Sequence, residues 1–426
     1  MNQIITPKKN IRATITVPGD KSISHRSIMF GALAKGVTEI EGFLMGQDCL
    51  STISCFQKLG ITIEQNNNKI FVYGKGLHGL TKPSETLDVG NSGTTLRLIS
   101  GILSAQPFLC HLTGDSSIQK RPMNRIAVPL RKMGAVLIGN DRENLFAPFT
   151  IEGKALHSIK YTLPVASAQV KSAILLAGLF AKGETIIVEP EPTRDHTEIM
   201  LRYMGADIQK IGNKIHCKPV PELYAQKIVV PGDISSAAYF IVMACICKNS
   251  EILLKNVGIN ETRTGIIDAL QSMGGNITIE NEKTINGEKT GDIHVKYSTL
   301  HGSTIGGADI PRLIDEIPVI AVAGCFAEGT TIIKDAQELK VKESNRIKTI
   351  ITELKKFGAN ITETDDGMII QGGNTLKGCV TQSYQDHRIA MAMAVAGTAA
   401  LGETTIIDAE CVNISFPNFY DIITSI

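Results

Sequence analysis

The sequence predicts a mixed α/β protein of two lobes, each assembled from three copies of one small unit of strands and helices, and three recurring phrases predict it. The first is an amphipathic stretch that ends in a large apolar residue and Gly and then runs into an alternating β-like segment. It occurs five times, as CFQKLGITIEQ, LRKMGAVLIG, LRYMGADIQK, LQSMGGNITIE and LKKFGANITET. The second, a Gly or polar turn entering a short β-branched strand, occurs as GVTEIEGF, GETIIVEP, NSEILLKNV, GTTIIKDA and GETTIIDA. The third opens a longer apolar helix after a strand. Its six copies are VPGDKSISHRSIMFGAL, LDVGNSGTTLRLISGIL, TLPVASAQVKSAILLAGL, VVPGDISSAAYFIVMA, IPRLIDEIPVIAVAG and SYQDHRIAMAMAVAG. Their spacing of about 70 residues exceeds a solenoid repeat and suits a unit of two helices and several strands.

Each phrase has a local physical cause. Gly60, Gly134, Gly205, Gly274 and Gly358 stop the amphipathic helices, because Gly accepts the left-handed conformation of a helix C-cap. The β-branched runs that follow polar turns favour a pleated, half-buried surface. VPGDKS at 17–22 and VPGDIS at 230–235 are nearly identical and mark crossings between lobes, near Pro18–Lys21 and Pro231–Asp233. An N-terminal lobe of residues 20–230 and a C-terminal lobe of residues 1–19 and 231–426 follow, the strand Ile11 to Val17 belonging with the C-terminal half. The polar stretch Glu280 to Asp292 reads as a hairpin tip. Gly74, Gly76 and Gly79 form a G-x-G-x-x-G string, but Pro83 follows and no helix opens, which argues against a dinucleotide site.

With 43% hydrophobic and 20% charged residues among 426, the chain can bury large cores. A formal net charge of +1 gives no broad attraction to nucleic acid or an anionic membrane, so any anion binding is local. The start MNQIITPKKN lacks a signal-peptide core and no apolar run reaches bilayer length, which makes the cytoplasm the default. Nine scattered cysteines without C-x-x-C spacing fit reduced, buried thiols, with Cys245 and Cys247 in core packing rather than on a metal. No phosphate-loop, G-x-S-x-G or H-E-x-x-H pattern occurs, so the common kinase, hydrolase and zinc-protease readings fall away.

Small and polar residues open the apolar helices: Ser22 and Ser24, Asn91 to Thr94, and Ser167 to Gln169. A helix start presents unpaired N–H groups and the positive end of the dipole, and so binds phosphate or carboxylate; the same residues are also ordinary N-caps. Cations gather beside these starts: Lys21, Arg26, Arg121, Arg125 and Lys171, extended by Arg194, Arg263, Lys342, Arg346 and Arg388. Guanidinium groups grip carboxylate and phosphate through paired charge-assisted bonds, so a set this large points to small polyanionic substrates held between the lobes. Asp315 lies inside the otherwise apolar, helix-forming run PRLIDEIP, where its carboxylate needs a cation or a substrate hydroxyl. Glu343 is on residues alone a helical pair with Arg346, and His387 an ordinary hydrogen-bonded histidine.

Taken together, GDKSISHR, LDVGNSGTTLRL, QKRPMNR, SAQVK, RDHTE, NETR, LIDEIP, VKESNR and QDHRIAM resemble the 5-enolpyruvylshikimate-3-phosphate synthase family, and the resemblance runs essentially end to end. RDHTE, GDKS, SAQVK and NETR are similar to its class II branch, many of whose members tolerate glyphosate. The resemblance implies a two-domain fold of the inside-out α/β barrel type. It also implies transfer of the enolpyruvyl group of phosphoenolpyruvate to the 5-hydroxyl of shikimate 3-phosphate, through a tetrahedral intermediate, without a metal or organic cofactor. It assigns Lys21, Ser22, Arg26, Ser167, Ala168, Gln169, Arg194, Asp315 and Lys342 to shikimate 3-phosphate. It assigns Lys21, Gly93, Arg121, Gln169, Arg346 and Arg388 to phosphoenolpyruvate, and catalysis to Asp315 as base, Glu343 as acid, and Lys21. Two positions depart from class I relatives: Ile414 stands where they carry a lysine, and Ala168 where they carry a second serine. A uridine-nucleotide enolpyruvyl transferase is the nearest rival, and it usually has Lys-Asn at Lys21-Ser22 and a cysteine in the QKRPMNR loop. A phosphate cyclase or a non-catalytic anion binder would not require Asp315 and Glu343. Small-molecule partners and a monomer complete the expectation.

Overall fold

At each helix-to-strand joint the chain turns on a glycine of positive φ: Gly60 at 87°, Gly134 at 100°, Gly205 at 102°, Gly274 at 90° and Gly358 at 89°. Only Gly enters this left-handed region without a Cβ penalty, which is why all five helices stop there. The computed structural model, which describes residues 1–141 and 143–426, places strands Thr62–Asn66, Val136–Ile138, Asp207–Ile211, Asn276–Ile285 and Asn360–Glu363 directly after these turns. The third phrase becomes six core helices: α1 (Lys21–Leu33), α2 (Gly93–Leu103), α3 (Ala168–Gly178), α4 (Ile234–Ile246), α5 (Ile317–Phe326) and α6 (His387–Ala399).

The repeat is clearest around α2. Strand Leu87–Asp88 leads into α2, and strand Leu109–Thr113 returns parallel to it, with Leu87 opposite Leu112. Parallel neighbours need a crossover, and the helix supplies it. Helix Asn124–Lys132 and the hairpin of Val136–Ile138 with Phe149–Glu152 finish the unit, Phe149 lying antiparallel to Leu112. The same order recurs around α3 and α5, and α4 has it with strand Arg12–Ile15 as its first member. The described residues form six open sheets of three to five strands, none closed on itself.

The chain divides into two compact units, one of Gly19–Val230 with Ile285–Glu288, the other of Met1–Pro18, Pro231–Thr284 and Lys289–Ile426. In the C-terminal unit, Arg12–Ile15 pairs parallel to Glu251–Gly258, and Gln3–Ile5 lies along Thr404–Ile407. Every residue of α4 is buried, and an aromatic cluster of Phe240, Phe416 and Phe419, with centroids 5.4 to 5.9 Å apart, adds about 0.5–1.5 kcal/mol per pair beyond area burial. Cys245 and Cys247 are in this core, where burial pushes their thiols up to about 12 and about 11. In the N-terminal unit, Lys227–Val229 pairs parallel to Ala34–Glu41. The polar stretch at 280–292 is a hairpin turning at Asn286 and Gly287. Asn286 accepts from the Val229 amide and donates to the Lys227 carbonyl, both at 2.8 Å; these bonds place the tip with the N-terminal unit, which nothing in its composition foreshadows. Among the described residues no helix is long and apolar enough to cross a membrane.

Candidate active site

In the N-terminal unit most of the predicted site residues lie at or near three helix starts. Asp20 caps α1 by accepting from the Ile23 amide at 2.8 Å, Ser92 caps α2 through Thr95 N at 3.1 Å, and Ser167 caps α3 through Val170 N at 3.4 Å. Capping and anion binding are therefore compatible, because each cap satisfies only part of the exposed N–H set. Lys21 leads α1, its Nζ 2.5 Å from Asp48. Arg26 is one turn further in and buried; its Nε donates to Thr197 at 2.7 Å, Nη2 to Ser172 at 3.0 Å and Nη1 to the Ser22 carbonyl at 2.9 Å. Burial pushes its guanidinium down to about 10 against the pull of Glu198 and Asp20, so it stays cationic at neutral pH. Arg194, half-buried in the loop before helix His196–Tyr203, acts on Arg26 as a neighbouring like charge.

Gly93, Arg121 and Gln169 also come together. Arg121 donates to Asn91 at 2.9 Å and Ser117 at 3.3 Å, and a methyl group on Gly93 would lie 3.4 Å from its Nη1. That methyl would lie only 2.7 Å from Arg97 Nη1. Arg97, which sequence reasoning passed over, donates to Gln169 at 2.9 Å while Gln169 donates to Thr94 at 3.1 Å, so the starts of α2 and α3 are linked across this cluster. His25 was equally unremarked: its Nδ1 meets Thr52 at 2.7 Å, Thr52 meets Thr95 at 2.7 Å, and Thr95 meets the cap Ser92 at 2.7 Å. Burial, then Lys21 and Arg26, hold this imidazole well below its usual value. It is the neutral end of a hydroxyl chain that fixes α1 to α2.

In the C-terminal unit the acids surround one arginine. Arg346, at the start of helix Arg346–Lys356, is 2% exposed and donates to both Asp386 oxygens at 2.8 and 3.3 Å, to Glu343 at 2.6 Å and to Asp315 at 3.3 Å. Lys342 Nζ lies 3.2 Å from the same Asp315 oxygen. Burial alone would lower the Arg346 pKa, but Asp386, Glu343 and Asp315 together outweigh it and hold it above its usual value. Asp386 is fully buried, caps α6 through the Arg388 amide at 2.9 Å and accepts from Ser344 at 3.0 Å. It was missed because its partner lies 40 positions away in sequence. Arg388 is half-buried, its Nη1 3.5 Å from the Ser235 carbonyl. Burial is again outweighed, by Tyr239, Asp315, Glu316 and Asp233, which raise its pKa. His387 opens α6, buried.

Three expectations need correction. Asp315 is not inside a helix but in the turn 314–316 between Ile310–Leu313 and α5, which frees its carboxylate to face the Arg346 side. Lys171 is not one of the cations facing an anion: it is fully buried, 2.9 Å from Glu189 and 2.7 Å from Glu198. Arg263 is likewise engaged in a buried cluster, 2.6 Å from Ser235 and 3.5 Å from Asp233, and Ser235 in turn donates to Glu316. Among the described residues no cluster of three His, Cys, Asp or Glu side chains is placed to hold a metal.

Comparison with known proteins agrees over the whole length. The family model for EPSP synthase (3-phosphoshikimate 1-carboxyvinyltransferase) matches residues 5–423. A 3-phosphoshikimate 1-carboxyvinyltransferase of Thermoanaerobacter sp. strain X514 is 58% identical over 98% of both chains, and that of Desulforamulus reducens is 52% identical over 100% of this chain and 99% of its own. A solved EPSP synthase from Acinetobacter baumannii superposes with a TM-score of 0.90 at 47% identity, covering 100% of this chain and 98% of the other.

Proposed function

This chain belongs to the EPSP synthase family, and on that premise we propose that it transfers the enolpyruvyl group of phosphoenolpyruvate to the 5-hydroxyl of shikimate 3-phosphate. The products are 5-enolpyruvylshikimate 3-phosphate and phosphate, a step of the shikimate pathway to aromatic amino acids. Shikimate 3-phosphate is held by Lys21, Ser22, Arg26, Ser167, the backbone at Ala168, Gln169, Arg194, Asp315 and Lys342. Phosphoenolpyruvate is held by Lys21, Gly93, Arg121, Gln169, Arg346 and Arg388. Asp315 takes the proton of the attacking hydroxyl as its oxygen bonds to C2 of phosphoenolpyruvate, and Glu343 delivers a proton to C3. In the second half Glu343, now a carboxylate, takes back a proton from C3 as the C2–O bond to phosphate breaks, with Lys21 balancing the charge that develops on that group. A hydroxyl is a poor nucleophile until it loses its proton, and C2 of an enol phosphate becomes electrophilic when C3 is protonated, so both roles are needed in one transition state.

One observation carries the assignment: Asp315 and Glu343 share a single buried guanidinium, which Asp386 holds from behind. A substrate carboxylate arriving at Arg346 would compete with Glu343 for the guanidinium, and a carboxylate that loses its cation gains affinity for a proton. Binding thus prepares the acid. We further propose that the protein works in the cytoplasm as a monomer, without nucleic-acid or membrane partners and without a cofactor; near-neutral net charge and nine free cysteines, eight of them buried, support this. The test is to mix folded protein with both substrates and follow phosphate release. Turnover that requires both supports the reading, and none at all sinks it.

A further inference from the structure

The strongest feature that the proposed chemistry leaves unused is a buried ionic network behind the start of α3. Lys171 has no solvent exposure, and its three donors go to Glu189 at 2.9 Å, Glu198 at 2.7 Å and the Thr193 carbonyl at 3.3 Å. Both glutamates are as deeply buried, at 1% and 2%. Glu189 also accepts from Thr193 Oγ1 at 2.5 Å and Thr193 N at 3.2 Å, so the segment ending at Arg194 is fastened to Lys171. On the other side Glu198 follows Thr197, which accepts from Arg26 and shares a 2.7 Å hydrogen bond with Ser172, the residue after Lys171. Two consecutive residues of α3 therefore clasp two consecutive residues of helix His196–Tyr203. One clasp is ionic, and Arg26 is attached to the other.

Burying three charges is an expensive way to join two helices, since apolar residues of similar volume commonly do so as well or better. The network has a geometric consequence that apolar packing would lack. It fixes the direction of approach of the 189–194 segment and sets Lys171 against the burial that pushes the Glu198 carboxyl up, beside Arg26. We propose that Lys171 is a positioning residue, which through Glu189 and Glu198 sets the places of Arg194 and Arg26 for the anionic groups of the hydroxyl-bearing substrate. This rests on the reading of those two arginines as ligands of shikimate 3-phosphate.

The experiment compares the wild-type enzyme with Lys171→Met/Glu189→Gln/Glu198→Gln, which removes all three charges together and so avoids stranding one, and with Glu198→Gln, which leaves Lys171 paired to Glu189. Titration of shikimate 3-phosphate should show affinity about tenfold weaker in the triple variant and about threefold weaker in Glu198→Gln. Saturating kcat and the KM for phosphoenolpyruvate should stay within about threefold, a split that general loss of fold would not produce. Wild-type affinity in either folded variant overturns the positioning role. Arg26→Gln is the control: if it weakens shikimate 3-phosphate while the network variants do not, only the positioning role fails. If Arg26→Gln binds normally, the reading of Arg26 as a ligand of shikimate 3-phosphate fails and the inference with it.

Discussion

The two units use arginine in opposite ways. In the N-terminal unit Arg26 is tied to the hydroxyls of Thr197 and Ser172 and to a carbonyl, and Arg121 to Asn91 and Ser117. In the C-terminal unit Arg346 is tied to Asp386, Asp315 and Glu343. Neutral partners orient a guanidinium without cancelling its charge, which leaves it able to bind a dianion. Carboxylate partners cancel the charge but give the cation control over acids. One arrangement suits gripping and the other proton transfer, and they follow from whether the residues around the arginine are Ser and Thr or Asp and Glu. Lys21, paired with Asp48, departs from the N-terminal pattern, and Arg388, beside the neutral Ser235 carbonyl, departs from the C-terminal one.

The contrast can be broken at defined places. Asp386→Asn removes the fully buried member of the acid group around Arg346 and leaves Glu343 and Asp315 as its partners; it should cost about 3 kcal/mol of stability, the low end for breaking a buried pair, read as a fall in the urea midpoint of the C-terminal unit. Asp315→Asn should lower kcat at least about a hundredfold, the lower bound for loss of a positioned base; a near-normal rate would remove Asp315 from the mechanism. Thr197→Val takes only a neutral partner from Arg26 and should cost about 2 kcal/mol, less than Asp386→Asn. Equal losses for the two would erase the distinction between the units.

The smallest effect concerns His25. Burial and the neighbouring Lys21 and Arg26 hold its folded pKa well below 6.5, so the native state keeps it neutral while the unfolded chain protonates. Its contribution is fully present above pH 6.5 and is lost as the pH falls below it. Urea unfolding at pH 6.5 and 5.5 should therefore show the wild type losing up to about 1 kcal/mol more than His25→Gln. Parallel losses would mean that His25 is not held neutral.

Much of this was legible in the sequence because its causes are local. Gly60, Gly134, Gly205, Gly274 and Gly358 stop helices through their own φ, and Ser92 and Ser167 cap through amides three residues on. What the sequence hid depends on long-range pairing. Lys171 beside SAQ has the composition of a substrate cation, yet α3 is buried on all sides from Val170 onward, so a charge there must find charges inside. Glu189 and Glu198, 18 and 27 residues further on, are those charges, and no spacing rule links them. Arg97 was overlooked because its neighbours Gly93 and Gln169 come from two different repeats.

The most direct test of the division between grip and chemistry is a paired measurement on Glu343→Gln: calorimetric titration with shikimate 3-phosphate, and phosphate release when phosphoenolpyruvate is added. The account predicts substrate affinity within about threefold of wild type and a rate at least about a hundredfold lower. Retained turnover, or binding lost in proportion to rate, would contradict it.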